Sequence, residues 1–257
     1  MVAITTVAIV GTMSTSLVSR GPGWLSRWLV AGVAGLIGLM LVVLSTPRLV
    51  AYAGLARLPA EVDANLKSGQ PISGATLFEA RTAYEQALKY VPADATLNLN
   101  LGRLILREAA MPGLSQALRR KALETASLHF RAAISGAPTR AFAWSLAALV
   151  ESNKSGPSGR LYNLLRYSYY YGPYEPSSVL TRSGIVMPLW QILPDEFQRF
   201  AENDLKVLWW VHALRRDLFE IYLEAPYPLR SHIRHVVLLT DEDRQSFDTL
   251  LKDFLAW

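Results

Sequence analysis

One spaced pattern occurs twice in this chain: Ala80, Tyr84, Ala87, Pro92, and then Ala126, Phe130, Ala133, Pro138. On a helix, the first three residues of each set share a face. The small residues let a second helix come close, the ring fills the gap between the two, and the proline ends the helix. A second apolar helix follows each proline. The first carries Asn98, Leu101, Gly102 and Ile105; the second carries Trp144, Ala147, Ala148 and Glu151. The pattern predicts an all-α chain of helix pairs. Such units bury their apolar faces only by stacking on their neighbours, and arrays of them bind or organise other proteins more often than they catalyse.

The second constraint is apolar length. From Trp28 to Leu44 the chain carries no charge, Ser45 and Thr46 extend the run, and Pro47-Arg48 closes it. With Trp24 at the near edge, the run reaches the roughly 20 residues that a helix needs to cross a bilayer. Trp24 and Trp28 suit the interface, and Arg27 is placed to extend its stem to the headgroups. A cleaved signal peptide is the rival reading, because Ala51-Tyr52-Ala53 resembles a small-x-small cleavage site. The apolar region, however, is longer than the usual 7–15 residues of such a peptide. We therefore read residues 24–48 as an uncleaved, single-pass anchor. Arg20 and Arg27, with the α-amino group, precede the uncharged run; Arg48 and Arg57 follow it, soon joined by Glu61 and Asp63. This balance slightly favours the N-terminus inside. In a Gram-negative inner membrane the bulk of the chain would then face the periplasm. Ala31/Gly35 and Ala34/Gly38 form two small-xxx-small pairs that permit close packing of the span against another helix. Residues 1–12 are apolar and Thr-rich with no clear caps; 1–23 is read as a disordered N-terminal segment, with Met13 as an alternative start.

Beyond the anchor, Pro59 and the stretch Ser68–Gly74 bracket a short helix over 60–67. Ser73 or Thr76 is placed to cap a helix ending near Tyr90, and Asp94 begins its partner. Met111-Pro112-Gly113 marks a turn, and a helix is expected over 119–135. The two marker prolines lie further apart than the roughly 34 residues of a tetratricopeptide (TPR) unit, so the excess is assigned to the stretch between Ala109 and Lys121. A third pair follows Pro138, with Trp144 in a core position, and closes at Gly172-Pro173. We expect TPR-like helices over 59–190 and a C-terminal helical cap over 191–257. Within that cap, one long helix is predicted from Pro194-Asp195 to Glu224. His232 to Thr240 is read as helix despite its β-branched content, and Thr240 or Asp241 should cap a last helix.

Catalytic patterns are few. The chain has no cysteine, which excludes thiol chemistry, disulfides and zinc–thiolate sites. No HExxH, GxSxG or glycine-rich dinucleotide loop occurs. The polar stretch Ser152–Gly159 does not follow a strand, and its Lys-Ser precedes the glycines, so it is not a phosphate loop. His232 and His235 share a helical face but lack an evident third metal ligand. Glu85, Glu108, Glu151 and Glu220 are isolated in sequence. The net charge is +5 with a pI near 9.5. Its Lys and Arg residues are dispersed among acids, which argues against nucleic acid and fits an anionic lipid surface. No cofactor, metal or catalytic residue is expected.

The densest unusual segment is Tyr162, Tyr167, Tyr169, Tyr170, Tyr171 and Tyr174, followed by Glu175-Pro176. Tyrosine rings stack on sugars and anchor protein interfaces. Half are assigned to packing; Tyr169, Tyr171 and Tyr174, with Glu175, are the candidate partner or glycan contacts. Leu58-Pro59-Ala60, Ala87-Leu88 with Pro92, Ala143-Trp144-Ser145-Leu146-Ala147 and Gly172-Pro173-Tyr174-Glu175-Pro176 together resemble the VpsP-type exopolysaccharide-biosynthesis proteins. That resemblance implies a membrane-anchored, non-enzymatic accessory factor in polysaccharide synthesis or export, holding partner proteins of an envelope complex. Two alternatives stand beside it. One is a glycan-binding or glycan-modifying protein using the Tyr162–Tyr174 cluster. The other is a subunit of another membrane complex, packed through Ala31, Ala34, Gly35 and Gly38.

Overall fold

The computed structural model describes residues 23–68 and 72–256, and among these every regular element is helical. The N-terminal segment expected to be disordered, with Met13 as its alternative start, lies outside the described residues except for Gly23, which opens a helix; the side chains of Trp24 and Arg27 also lie outside them. The chain divides between Pro47 and Arg48 into two compact units.

The first unit holds most of helix α1, Gly23–Leu55. From Trp28 onward α1 is long and apolar enough to cross a membrane, and its most apolar window is not buried at all. The helix does not end at the proline that closes the uncharged run; it continues through Pro47 to Leu55. Pro47 has no N–H to offer the preceding turn. The hydroxyls of Ser45 and Thr46 donate back to the carbonyl of Val42, at 3.1 and 2.7 Å.

The second unit opens with the last turns of α1 and continues through α2 (Ala60–Ser68), α3 (Gly74–Tyr90), α4 (Ala95–Ala109), α5 (Gln116–Gly136), α6 (Ala141–Ser155), α7 (Gly159–Tyr171) and α8 (Pro176–Val186). Caps fix several starts. Ser73 accepts from the N–H of Thr76, Asp94 from Thr96 and Leu97, Ser115 from Leu118, and Ser158 from Leu161. The residues between Ala109 and Lys121 divide into a short loop and the first turn of α5. All six small and aromatic marker residues are buried: Ala80, Tyr84 and Ala87 on α3, and Ala126, Phe130 and Ala133 on α5.

Neighbouring helices run antiparallel, as the contacts between them require. Across α3 and α4, Tyr84 meets Asn100 while Arg81 meets Glu108. Across α4 and α5, Ala95 meets Gly136 while Gly102 meets Phe130. A β-carbon on Gly102 would stand 2.6 Å from the Phe130 ring, so glycine is what allows the ring to lie flat against α4. Asn98 donates to the carbonyls of Pro92 and Asp94. That leaves its oxygen to accept from Nδ1 of His129 at 2.9 Å, and burial lowers the His129 pKa below the ordinary histidine value.

The remaining elements are a 3₁₀ turn at Trp190–Ile192, α9 (Asp195–Trp210), a second 3₁₀ turn at His212–Leu214, α10 (Arg215–Glu224), α11 (Tyr227–His232), a π turn at Ile233–Val237 and α12 (Asp241–Leu255). The single long helix predicted from Pro194-Asp195 to Glu224 is therefore broken after Trp210, where Val211 turns extended. Arg215 fixes the break: its Nε donates to the carbonyl of Trp209 at 2.8 Å and its guanidinium lies 4.3 Å from the Trp209 ring centre. The segment after His232 is helical as expected, in the wider π form as far as Val237. Thr240 caps α12 in a reciprocal box with Asp243.

Apolar packing forms two clusters. One gathers the end of α1, α2 to α5 and one side of α6; the other gathers Ala148 of α6 with α7 to α12. Helix α6 is thus a shared wall, apolar on nearly every side. The segment after 190 does not merely cover an end: Phe197, Leu205, Leu208, Leu218 and Phe247 build the second core with Leu161 and Leu165.

Candidate interaction surface

Helix α7 carries its tyrosines around the whole cylinder, and helical phase decides the fate of each. Leu161, Leu165, Ser168 and Tyr169 form its buried stripe. Tyr167 and Tyr171, four residues apart, share another face with Trp144 of α6. The Trp144 and Tyr167 rings stack with centres 4.6 Å apart, and Tyr171 lies 6.5 Å from Trp144 and 6.4 Å from Tyr167. The planes of these three rings agree within 29°. Tyr170 meets Tyr171 edge-on at 5.0 Å. Trp144 is held by its indole N–H, which donates to the carbonyl of Pro138 at 2.7 Å. It is half-buried rather than the core residue the repeat pattern predicts, because its ring lies along the α6–α7 surface over Tyr167.

Tyr170 is 77% exposed and Tyr174 67%, so these two present the most ring surface; Tyr167 and Tyr171 are partly covered by their stacking. Of the expected contact residues, Tyr171 and Tyr174 are on the surface. Tyr169 is not, and that assignment is corrected: it is 6% exposed, stacked on Phe200 at 4.7 Å, with its hydroxyl donating to Asp204 at 2.9 Å. Glu175 is half-buried, accepts from Ser178 Oγ at 2.7 Å and packs beside Gly172.

Directly beneath lies a buried polar knot that the sequence reading missed. Arg182 of α8 and Asp204 of α9 are both fully buried and bonded two ways, Nε to Oδ2 at 3.0 Å and Nη2 to Oδ1 at 2.7 Å. The same guanidinium donates to the carbonyls of Ser168, Gly172 and Pro173, and to the Ser168 hydroxyl. It lies 4.2 Å from the Tyr169 ring centre. One side chain thus ties the Ser168 carbonyl in the last turn of α7 to those of Gly172 and Pro173 just beyond it, and fixes the loop that carries Tyr174. Burial pushes the Asp204 carboxyl up to about 6, against the opposing pull of Arg182 and Tyr169. Burial also raises the Tyr169 hydroxyl well above its ordinary value. Both charged residues fall at core-facing positions of otherwise apolar stripes: Val179, Arg182, Ile185, Val186 on α8 and Phe197, Ala201, Asp204, Leu205, Leu208 on α9. Opposite charges in two such stripes are the signal that could have revealed the pair.

The other sequence candidates separate. His232 Nε2 lies 2.8 Å from Glu202 Oε1, out of line for a hydrogen bond, while His235 Nδ1 donates to its own helix at the Ser231 carbonyl. Among the described residues, no group of three His, Asp or Glu is arranged to hold a metal. The four isolated glutamates are each engaged by arginine: Glu85 and Glu108 by Arg81, Glu151 by Arg160, Glu220 by Arg216. On α1, Ala31, Ala34, Gly35 and Gly38 are all exposed, and a β-carbon at Gly35 or Gly38 would find nothing within 4 Å. No family model and no curated protein sequence matches the chain.

Proposed function

We propose that this chain is a non-enzymatic, membrane-anchored accessory factor that holds partner proteins of an envelope or exopolysaccharide-assembly complex. Its helix pairs act as a TPR-like array, the span sits in a bacterial inner membrane, and the bulk of the chain faces the periplasm. The observation that carries the reading is the aromatic surface of Trp144, Tyr167, Tyr170, Tyr171 and Tyr174. Trp144, Tyr167 and Tyr171 are already fixed by stacking and so lose little freedom on docking, and exposed aromatics of this kind concentrate binding energy at interfaces. A photo-crosslinking amino acid placed at Tyr170 or Tyr174 in living cells tests it. The expected result is a discrete protein adduct in the membrane fraction, lost when Tyr171 and Trp144 are replaced by alanine. Absence of any adduct, or recovery of the chain only in the soluble fraction, refutes it.

The near-parallel planes of Trp144, Tyr167 and Tyr171 favour one alternative, in which the same surface stacks on sugar rings. Oligosaccharide titration of the full chain in detergent separates the two. Saturable binding that disappears in Tyr171→Ala and Tyr174→Ala supports glycan recognition, and no binding beside retained protein adducts supports the scaffold.

A further inference from the structure

An open cleft of about 500 Å³ lies within the second unit, where the last turn of α1 and the α1–α2 turn face α3 and α4. Its volume falls in the roughly 300–1,000 Å³ range of small-molecule sites. Leu55, Leu58 and Pro59 form one wall, and Leu97 and Val62, both almost fully buried, form the floor. The polar groups at its edge are engaged with each other: the Tyr52 hydroxyl donates to Asp94 at 3.2 Å, and Asn100 donates to the Tyr84 hydroxyl at 3.2 Å. What remains free is mostly hydrocarbon surface.

The position of this cleft along α1 specifies what can enter. The apolar stretch of α1 runs from Trp28 to Leu55, 28 residues. At 1.5 Å per residue that is about 42 Å of helix. A bilayer has about 30 Å of hydrocarbon and about 40–45 Å with its headgroups. A helix entering at Trp28 therefore leaves the hydrocarbon near Arg48, and its end, Tyr52 to Leu55, lies at headgroup level. Those end residues are one wall of the cleft. Arg48 is exposed and its charge reaches the Tyr52 hydroxyl; Arg57 is exposed in the turn that follows. An apolar cleft opening at headgroup level, flanked by two arginines, matches an amphiphile with a hydrocarbon tail and an anionic head.

We infer that the cleft between α1, α3 and α4 takes the hydrocarbon tail of an anionic membrane lipid, with Arg48 and Arg57 contacting its phosphate. This rests on the membrane anchoring proposed above, and the test keeps the two apart. The full chain is reconstituted in vesicles containing phosphatidylglycerol with a photoreactive group near the end of one acyl chain, illuminated, and mapped by peptide mass spectrometry. Label is expected in the span over 28–46 and also in α4 over 95–100. Ala56 and Ala60 line the cleft and are exposed, so Ala56→Trp and Ala60→Trp fill it without disturbing the core. Each should cut the α4 label about tenfold, about 1.4 kcal/mol of affinity, and leave the span label unchanged. Replacing the probe by its phosphatidylcholine counterpart, or Arg48 and Arg57 together by glutamine, should lower the α4 label in the same direction. Span label with no α4 label overturns the lipid site alone. No label in either segment overturns the anchor as well. An α4 label unaffected by both tryptophans overturns the assignment to this cleft, and one indifferent to headgroup charge overturns the role of the arginines.

Discussion

Replacing Arg182 by methionine, Asp204 by leucine, and then both, separates charge from packing in the knot beneath the tyrosines. Both side chains are fully buried. In Asp204→Leu the guanidinium keeps its charge, because arginine does not deprotonate in proteins. An uncompensated buried charge of this kind costs about 3–5 kcal/mol, and the cost should be flat where the parent's Asp204 is ionised, above about pH 6, and grow below it. In Arg182→Met the carboxyl has an escape that arginine lacks: it takes up a proton. With Arg182 present its pKa already stands at about 6, against 3.8 for an ordinary aspartate. A carboxyl raised in this way contributes stability that is complete below its unfolded value and is lost as pH rises through its folded value. In the parent protein that window runs from 3.8 to about 6. Removing the guanidinium pushes the upper edge higher. Arg182→Met should therefore regain about 2 kcal/mol more than the parent between pH 8 and pH 5, at 1.36 kcal/mol per pKa unit. The double variant carries no buried charge, but the carbonyls of Gly172 and Pro173 still lose their donor, at about 1 kcal/mol each. It should cost less than the two single variants combined, by about 2–3 kcal/mol of coupling. Urea unfolding of the full chain in detergent, followed by tryptophan fluorescence at several pH values, measures all of this. Additive single variants, or an Arg182→Met penalty that ignores pH, would refute the reasoning.

Gly102→Ala should destabilise the second unit by about 1–3 kcal/mol through overpacking against Phe130, whereas Gly38→Ala, with nothing within 4 Å, should leave the melting temperature unchanged. Thr240→Ala removes the hydroxyl that accepts from the Asp243 N–H and leaves the backbone N–H of residue 240 on the Asp243 carboxylate; it should cost about 1 kcal/mol, read in the same melts. The lowered pKa of His129 means stability that is present above the unfolded histidine value of about 6.5 and lost as pH falls through its folded value. His129→Gln should accordingly flatten the fall in stability below about pH 6.5, measured as the difference between variant and parent across the same buffers.

What the sequence disclosed follows from the range of each interaction. Helix starts at Ser73, Asp94 and Thr240 are local, since a side chain three residues back satisfies the first free N–H groups. The buried stripe of α3 and that of α5 are nearly as local, because a single helical period decides which residues face inward. Length and apolarity alone mark α1. The break after Trp210 was not legible: the apolar stripe of α9 continues toward Leu218, and only Arg215 folding back onto Trp209 stops the helix. The Arg182–Asp204 pair joins two helices, and each charge taken singly reads as one exposed residue. Grouping Tyr169 with Tyr171 and Tyr174 as contacts disregards its helical phase. Its spacing of four from Leu165 already set it on the buried stripe, apart from Tyr167 and Tyr171.

The surface and the knot are one construction. Tyr170, Tyr171 and Tyr174 lie where α7 ends, and a helix end is ordinarily the first place to fray, because its last carbonyls have no partner in the helix. Here Arg182 holds the carbonyls of Gly172 and Pro173, just past that end, from below, and Asp204 holds Arg182 in place. An apolar pair of the same volume would fill the space equally well and often more stably, but it could not donate to the carbonyls of Ser168, Gly172 and Pro173. The buried charges therefore make sense as a means of holding the exposed rings still. Fixed rings lose little side-chain freedom on binding, which is what the partner surface proposed above requires.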